Sequence, residues 1–342
     1  MEVDAPIRNL PLAEVAGEAR RLESLGFGSV WSFETSRDPF LPLAQAALAT
    51  ERIGIGTNIA VAFARTPFAM AMIAWDLQRA SGGRLRLGLG TQVRAHVERR
   101  LSAEFEHPAA RVCDYILCMR AIWETFQSGA KPDYEGRFYR FKLINDMFTG
   151  GPIDNPRIPV LLAGVNPRMA RAAGEVADGF SVHPMHSPEY LREVVRPAID
   201  EGARTRGARV DDVELVTDCF VVRGATEAER RRCEETVRRQ VAIYASTPSY
   251  RAFLDFQGYP ELGKKLSALM REGRIEEMPA LVDDGLLSAV AISEADGDLA
   301  ERIRARYAGG LVQRVMFYEP VPADADAREL RAFIDRVRGA GA

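Results

Sequence analysis

A turn near the middle of the chain has the composition of an anion-binding site. The apolar run 158–164 leads directly into a helical pattern, and the junction reads Ala163-Gly164-Val165-Asn166-Pro167-Arg168. A helix that begins at a proline presents free backbone N–H groups and the positive end of its dipole, and both favour a bound anion. The Arg168 guanidinium could add a further contact. A plain turn between a strand and a helix would also favour small residues, so both interpretations stay open here.

The histidines give little support for metal chemistry. His183 and His186 form an H-x-x-H pair, but no Asp or Cys follows at a spacing that would complete a zinc site. We therefore predict no metal, and we interpret the pair as packing within a loop. His96 stands among charged residues, which places it either on a solvated helix face or at the mouth of a ligand site.

Two familiar motifs are excluded or weak. The segment Gly88-Leu89-Gly90 lacks the third glycine of a dinucleotide-binding fingerprint, so a Rossmann domain is disfavoured. No G-x-S-x-G motif occurs, and a serine hydrolase therefore lacks its nucleophile. The residues alone indicate an enzyme with an anionic ligand and go no further.

Strand-like apolar runs alternate with helical patterns along nearly the whole chain. We predict eight strands, at 2–5, 29–33, 52–59, 84–90, 158–164, 179–183, 213–222 and 311–318. Helical patterns lie between them, at 12–25, 39–49, 67–80, 111–126, 167–177 and 188–206, then in a long region after the seventh strand, and finally at 327–337. Eight such units in one chain predict a single (β/α)8 TIM barrel over residues 1–342, in which catalytic groups lie at the carboxyl ends of the strands.

Two segments exceed what a bare barrel needs. Residues 134–156 contain a predicted hairpin around 135–139, and residues 244–293 are longer than one connection requires. Long loops of this kind are commonly lids or binding elements. They could equally be surface additions or dimer contacts.

Composition narrows the class of protein. The chain has 342 residues, a formal net charge of −3 and 47% hydrophobic residues, without the basic footprint of a nucleic-acid-binding protein. No apolar stretch is long enough to cross a membrane, and the amino terminus lacks a signal-peptide pattern. The four cysteines form no CxxC motif, so we expect reduced thiols in a cytoplasmic protein.

Several segments resemble the luciferase-like monooxygenase superfamily. Asp76-Leu77-Gln78-Arg79-Ala80-Ser81-Gly82-Gly83-Arg84-Leu85-Arg86-Leu87-Gly88-Leu89-Gly90 is similar to its S-G-G-R-x-x-L-G-x-G signature, and Arg52-Ile53-Gly54-Ile55-Gly56-Thr57, Arg65-Thr66-Pro67 and Ala173-Gly174-Glu175-Val176-Ala177-Asp178-Gly179 resemble neighbouring segments. The segments Phe33-Glu34-Thr35, Asp38-Pro39-Phe40-Leu41-Pro42-Leu43 and Thr91-Gln92-Val93-Arg94-Ala95-His96-Val97-Glu98-Arg99-Arg100 most resemble a branch that uses coenzyme F-420, a deazaflavin. A competing branch uses FMN.

The resemblance implies where the cofactor ring would lie. Similar enzymes hold the ring against a bulge after the third strand, where a non-prolyl cis peptide would fall at Asn58-Ile59. Glu34 and Thr35 match positions that contact the ring or the substrate. Well-studied sugar-phosphate-oxidising relatives have an Asp-His pair there, so this chain lacks their histidine base, and their substrate is not expected.

The resemblance also assigns the remaining site residues. The expected cofactor contacts are Thr57, Asn58, Ile59, Gly90, Thr91, Gln92, His96, Ala163, Gly164, Val165 and Arg168, with the phosphate at 163–165. The expected catalytic residues are Glu34, Thr35 and His183. Glu34 is the first candidate for proton handling or ring binding, and a purely structural carboxylate is the alternative.

The resemblance therefore predicts an oxidoreductase that transfers a hydride between coenzyme F-420 and a small organic substrate. An FMN-dependent monooxygenase and a non-catalytic cofactor-binding barrel are the alternatives. We expect a homodimer that binds neither nucleic acid nor membrane.

Overall fold

Eight apolar runs of the sequence form the parallel strands of a closed barrel in the computed structural model, which describes residues 1–339. In chain order they are β1 (Glu2–Ile7), β2 (Ser29–Ser32), β3 (Gly54–Thr57), β4 (Leu85–Gly90), β5 (Val160–Gly164), β6 (Gly179–Val182), β7 (Glu214–Val222) and β8 (Arg314–Phe317). Each strand pairs in parallel with the next, and β8 pairs with β1. The predicted (β/α)8 barrel is confirmed.

Helices cover the outside of the barrel. The α-helices are Leu12–Leu25, Phe40–Ala49, Pro67–Ala80, Arg94–Arg99, Pro108–Ser128, Pro167–Val176, Pro188–Tyr190, Arg196–Thr205, Glu227–Ala245, Arg251–Phe256, Leu262–Arg271, Asp284–Val290, Leu299–Arg306 and Ala327–Arg338. A π-helical turn, Leu191–Val195, links two of them, and 3-10 turns lie at Ala62–Ala64, Val210–Asp212, Pro248–Tyr250, Ile275–Leu281 and Glu294–Asp296.

Local sequence sets several helix boundaries. The Thr66 hydroxyl accepts from the Ala69 N–H, and the Asn166 side chain accepts from the Met169 N–H, so each caps the helix that follows it. Such a cap satisfies a backbone donor that the first helical turn leaves free. At the other end of the first helix, Gly26 takes the left-handed conformation with φ 90°, which ends Leu12–Leu25.

The inside of the barrel is packed below its mouth. Trp31, Leu161, Val216 and Met316 form one buried apolar layer. Beneath it lies a buried ion pair, in which the Arg314 guanidinium donates two hydrogen bonds of 2.7 Å to Asp4. The Trp31 indole also donates to Asp4, at 2.8 Å. The interior of the barrel is therefore filled at this level, and it opens into a cavity at the carboxyl ends of the strands.

The first predicted insertion contains the expected hairpin. Tyr134–Glu135 pairs antiparallel with Arg140–Phe141, which confirms the prediction. The Asp114 carboxylate accepts from the backbone N–H groups of Phe138 and Tyr139 and from the Tyr134 hydroxyl. One buried carboxylate therefore fixes the hairpin to the helix Pro108–Ser128.

The second insertion, 244–293, continues the sheet and reaches the mouth. Its last segment, Ala291–Ser293, pairs in parallel with the end of β7. Its first segment brings Tyr244 and Tyr250 into the wall of the cavity at the mouth. The insertion therefore lines the cavity, which favours its interpretation as a binding element over that as a surface addition.

Candidate active site

A cavity of about 360 Å³ opens at the carboxyl ends of the strands. One side of its wall comes from the ends of β3, β4 and β5. The other side comes from the ends of β6, β8, β1 and β2, from Asp218 within β7, and from the second insertion. This is the position at which the barrel architecture predicts chemistry. The two sides differ in character, and we describe them in turn.

The β3–β4 side presents backbone and small polar groups. Asn58, Ile59, Gly90, Thr91 and Gln92 all line the cavity. The peptide bond between Asn58 and Ile59 is cis, as the resemblance implied. The Gln92 backbone takes φ 59°, and its side-chain oxygen accepts from the N–H of the next residue at 3.0 Å.

The turn after β5 offers unpaired donors to the cavity. Ala163, Gly164, Val165 and Asn166 line it. No hydrogen bond within residues 1–339 uses the backbone N–H of Val165 or Asn166, and both stand before the ten-residue helix Pro167–Val176. Free amides at a helix start suit an anion, so the phosphate interpretation of this turn is consistent with the geometry.

Gly164 has a packing role of its own. A Cβ atom at this position would lie 2.4 Å from Cγ of Met169, which faces it from the next helix. The glycine therefore lets β5 and the helix Pro167–Val176 approach each other. A substitution here would disturb folding as well as any bound ligand.

Glu34 is held by a partner rather than left free. Both carboxylate oxygens accept from Nη1 of Arg65, at 3.0 and 2.9 Å, and one accepts from the Val61 N–H at 2.7 Å. Arg65 also contacts Asp38 at 3.0 Å. Glu34 thus ties the end of β2 to the segment that follows the cis peptide. This geometry favours a positioning role over proton transfer.

Asp218 is a buried acid in the cavity wall. Its Oδ1 accepts from Nδ2 of Asn58 at 2.7 Å, and its Oδ2 lies 3.6 Å from Nη2 of Arg8. Burial raises the pKa of Asp218 to about 7, although Arg8 and the Asn58 hydrogen bond favour the charged form. The Asn58 side chain in turn accepts from the Ser181 hydroxyl. An acid with this pKa can give or take a proton near neutral pH.

His183 lies in the cavity wall as a neutral side chain. Its Nδ1 accepts from the Met185 N–H at 3.2 Å, so the proton is on Nε2. The rings of Tyr244 and Tyr250 meet it edge-on, with centroids at 4.5 and 4.9 Å. Burial lowers the pKa of His183 to about 3, and the neighbouring His186 and Arg8 side chains act in the same direction. His183 can therefore donate a hydrogen bond, but it is a poor base.

His186 has a structural role. Its Nδ1 lies 2.9 Å from the His183 carbonyl oxygen, which can only accept, and its Nε2 then accepts from the Tyr307 hydroxyl at 2.9 Å. The H-x-x-H pair is thus held by hydrogen bonds, as the packing interpretation stated. Within residues 1–339 no group of three or more His, Cys, Asp or Glu side chains has metal-binding geometry.

The family is decided by comparison with known proteins. A model of the luciferase-like monooxygenase domain matches residues 2–314. The chain belongs to the luciferase-like monooxygenase family.

Relatives in this family extend over most of the chain. An uncharacterized protein of Mycobacterium tuberculosis is 42% identical over 316 residues, covering 92% of this chain and 92% of that protein. The F-420-dependent glucose-6-phosphate dehydrogenase of Mycobacterium avium is 28% identical over 223 residues, covering 62% of this chain and 63% of the relative. The sequence-based assignment to luciferase-like enzymes is thereby confirmed.

Two solved structures share the fold. The coenzyme F-420-dependent tetrahydromethanopterin reductase of Methanopyrus kandleri has a TM-score of 0.75 at 21% identity, covering 97% of this chain and 96% of its own. The oxygenating constituent of 3,6-diketocamphane monooxygenase of Pseudomonas putida, solved with FMN, has a TM-score of 0.64 at 17% identity, covering 98% and 96%. Both cofactor types therefore occur on this luciferase-like fold.

Most positions that the luciferase-like resemblance assigned to the site do meet there. Glu34, Thr35 and His183 line the cavity together with eight of the eleven expected cofactor contacts, namely Asn58, Ile59, Gly90, Thr91, Gln92, Ala163, Gly164 and Val165.

Three expected cofactor contacts lie outside the wall of this cavity, and they stay predictions. Thr57 is fully buried, and its hydroxyl donates to the Gly88 carbonyl at 2.6 Å, so it joins β3 to β4. His96 is exposed on the short helix Arg94–Arg99, as the alternative interpretation stated. Arg168 is exposed in the first turn of its helix. None of these side chains reaches the cavity.

The luciferase-like resemblance missed several residues of the wall, and two of these, Arg8 and Asp218, have acidic or basic side chains. Asp218 carried a signal, because it is an acid inside the apolar run 213–222. Arg8 carried no such signal, because the first strand was predicted to end at residue 5 and Arg8 then fell in the loop after it. The strand extends to Ile7, and Arg8 therefore stands at its carboxyl end.

Two general expectations concern the rest of the chain. Cys113, Cys118, Cys219 and Cys233 are free thiols. Across residues 1–339, no helix combines the length and hydropathy needed to span a bilayer.

Proposed function

We propose that the protein is an oxidoreductase that transfers a hydride between bound coenzyme F-420 and a small organic substrate. The observation that carries the proposal is that one cavity joins the free amides after β5 to the buried acid Asp218. The first suits a cofactor phosphate, and the second suits the proton that accompanies hydride transfer. The names of the F-420-dependent relatives support the choice of cofactor.

The residues present fit a deazaflavin. The Val165 and Asn166 amides would receive the phosphate, and the wall formed by Ile59, Gly90 and Thr91 would lie against the ring. A bound deazaflavin supplies a carbon centre that accepts or donates hydride and reacts poorly with oxygen. The protein supplies orientation and exclusion of water.

We assign the other site residues by their contacts. Asp218 would carry the proton, since it is the acid in the wall whose pKa lies near neutrality. His183 would donate a hydrogen bond from Nε2, and the Thr35 hydroxyl would contact ring or substrate. Glu34 would hold the segment after β3 in place through Val61 and Arg65.

A titration tests the cofactor directly. Binding would be monitored by the fluorescence of each cofactor. We expect purified protein to bind coenzyme F-420 with a micromolar or lower Kd and to bind FMN more weakly. Equal or reversed affinities would move the protein to the FMN-using monooxygenases, a change that the fold alone permits. Binding of neither cofactor would contradict the proposal.

We further propose that the enzyme acts as a homodimer in the cytoplasm. Exposed apolar side chains on neighbouring elements support the dimer, and four unpaired cysteines are compatible with a reducing compartment.

A further inference from the structure

Arg8 occupies an unusual position in the cavity wall. Its guanidinium lies between two aromatic rings, 3.9 Å from the Phe33 centroid and 4.2 Å from the Tyr318 centroid. Both flat faces of the cation are therefore covered. A ligand can reach it only along its edge, in the plane of its N–H groups.

The edge of this guanidinium is not satisfied by the protein. Its Nε is buried and has no hydrogen-bond partner in the described residues 1–339. The nearest anion, Asp218, lies 3.6 Å from Nη2, which is beyond an ordinary hydrogen bond. Buried donors are nearly always paired, and leaving one unpaired costs about 1–3 kcal/mol. Stacking, rather than the ion pair, holds Arg8 in place.

The surroundings of Arg8 limit the kind of ligand. Tyr244, Tyr250 and Tyr318 supply aromatic walls on the same side of the cavity. The remaining ionisable groups there are His183, which is neutral, and Asp218, whose pKa is raised to about 7. Near pH 7 only part of the Asp218 population is ionised, so Asp218 neutralises the Arg8 charge only in part in this largely apolar slot.

We propose that Arg8 binds a carboxylate of the organic substrate, with the rest of that substrate held between the aromatic side chains. The proposal rests on the proposed function, because it assigns the β7–β8–β1 side of the cavity to the substrate and the β3–β5 side to the cofactor. A planar carboxylate matches the terminal edge of the guanidinium, where Nη1 and Nη2 can donate two parallel hydrogen bonds, whereas the buried Nε is not open to a ligand. The cofactor phosphate would bind on the other side, at the turn after β5.

Two small probes test the proposal. We would titrate trans-cinnamate and its neutral amide, cinnamamide, by calorimetry into protein with and without coenzyme F-420. We expect wild type to bind cinnamate at least tenfold more tightly than cinnamamide. In Arg8→Met this preference should vanish, because the variant keeps an unbranched apolar chain but has no donors. Arg8→Lys should keep only part of it, since an ammonium lacks the planar edge.

Arg302→Met is the matched control. Arg302 also has a buried Nε without a partner, but it lies on the helix Leu299–Arg306, away from the cavity. This variant should retain the wild-type preference. Thermal melting followed by circular dichroism would show whether each variant is folded. If Arg8→Met does not fold, the test uses Arg8→Lys in its place.

The outcomes separate the two proposals. A preference for cinnamate that survives in Arg8→Met, or that is absent in wild type, would overturn the assignment of Arg8. A variant that loses coenzyme F-420 binding but keeps the probe preference would place Arg8 at the cofactor instead. If wild type binds no coenzyme F-420, the proposed function fails, and the cofactor-free titration still decides whether Arg8 binds carboxylates.

Discussion

At the scale of single residues, Glu34 and Asp218 show how differently two carboxylates can be placed in one cavity. Glu34 is surrounded by donors, and Asp218 is buried beside an amide with a cation at 3.6 Å. The first environment fixes a charge in place. The second environment allows the Asp218 carboxyl to gain and lose a proton near neutral pH.

Glu34→Gln tests the positioning role. The variant keeps the shape but loses the charge that faces Arg65, so we expect a loss of about 1–3 kcal/mol in stability and weaker coenzyme F-420 binding. The saturated single-turnover rate should stay within a fewfold of wild type. Asp38→Asn, which removes the more exposed partner of Arg65, should change stability and binding much less. A rate lower by roughly 10² with unchanged affinity would instead make Glu34 the proton carrier.

Asp218→Asn tests the buried acid through the pH dependence of stability. The raised pKa means that folded protein keeps a proton that the unfolded chain releases, so wild type loses stability as pH rises from about 4 to 7. The asparagine variant does not titrate. Its stability relative to wild type should therefore increase across this window, by about 4 kcal/mol at most.

Urea unfolding at pH 4, 5, 6, 7 and 8 would measure the difference curve for Asp218→Asn. Because His183 and His186 have lowered pKa values in the folded protein, its stability decreases when the pH falls below the pKa of free histidine. This contribution is present in both wild type and variant, so it should largely cancel in the difference. A flat difference curve would contradict the raised pKa. With a substrate in hand, hydride transfer in the variant should slow by roughly 10² or more.

At the scale of elements, the turn between β5 and its helix combines a cap with the proposed phosphate site. Asn166→Asp keeps an oxygen that accepts from the Met169 N–H but adds a negative charge beside the free amides. We expect coenzyme F-420 affinity to fall at least tenfold, about 1.4 kcal/mol, while the melting temperature is unchanged or higher. Thr66→Asp puts the same charge at another helix cap and should leave affinity unchanged. Equal effects in both variants would argue against a phosphate at this turn.

The elements themselves were largely predictable from hydrophobic periodicity. Leu12–Leu25 and Pro67–Ala80 have the predicted bounds, because a cap or a glycine marks an end of each. The third strand is shorter than predicted, since the chain breaks at Asn58 and pairs again at Ala60–Val61. Periodicity carries no sign of such a break, and only the resemblance placed it.

The site was less predictable than the elements, for physical reasons. Residues on one loop, such as Ala163 and Val165, follow from local pattern and resemblance. The pairing of Asn58 with Asp218 joins positions 160 apart in the chain, and nothing local indicates it. His96 and Arg168 have chemistry that suits a site, but the direction of a side chain on a helix start depends on packing.

At the scale of the whole molecule, an exposed apolar surface predicts association between two copies. Leu143, Met147 and Phe148 are 85%, 84% and 59% exposed, and Leu48 on a neighbouring helix is 78% exposed. Their loop is tied to Pro67–Ala80 by the Trp75 indole, which donates to the Gly151 carbonyl at 2.8 Å. Three large apolar side chains exposed within six residues of one loop favour an interface with another protein surface.

Light scattering after gel filtration would measure this association. We expect a dimer for wild type and a monomer for the double variant Met147→Glu and Phe148→Glu, because two buried carboxylates would oppose the interface. Leu281→Glu, at an apolar position exposed on the second insertion, should remain dimeric. A monomeric wild type at micromolar concentration would remove the dimer from the proposal.

The buried pair of Asp4 and Arg314 has a consequence for the order of events during synthesis. The two residues are 310 positions apart, yet they close the seam between β1 and β8. At translation rates of about 5–20 residues per second, roughly 15 to 60 s pass between the synthesis of Asp4 and that of Arg314. Throughout that time the growing sheet has two open edges and an uncompensated carboxylate destined for its interior. Until β8 is synthesised and pairs with β1, these open edges can therefore pair with other unfolded chains.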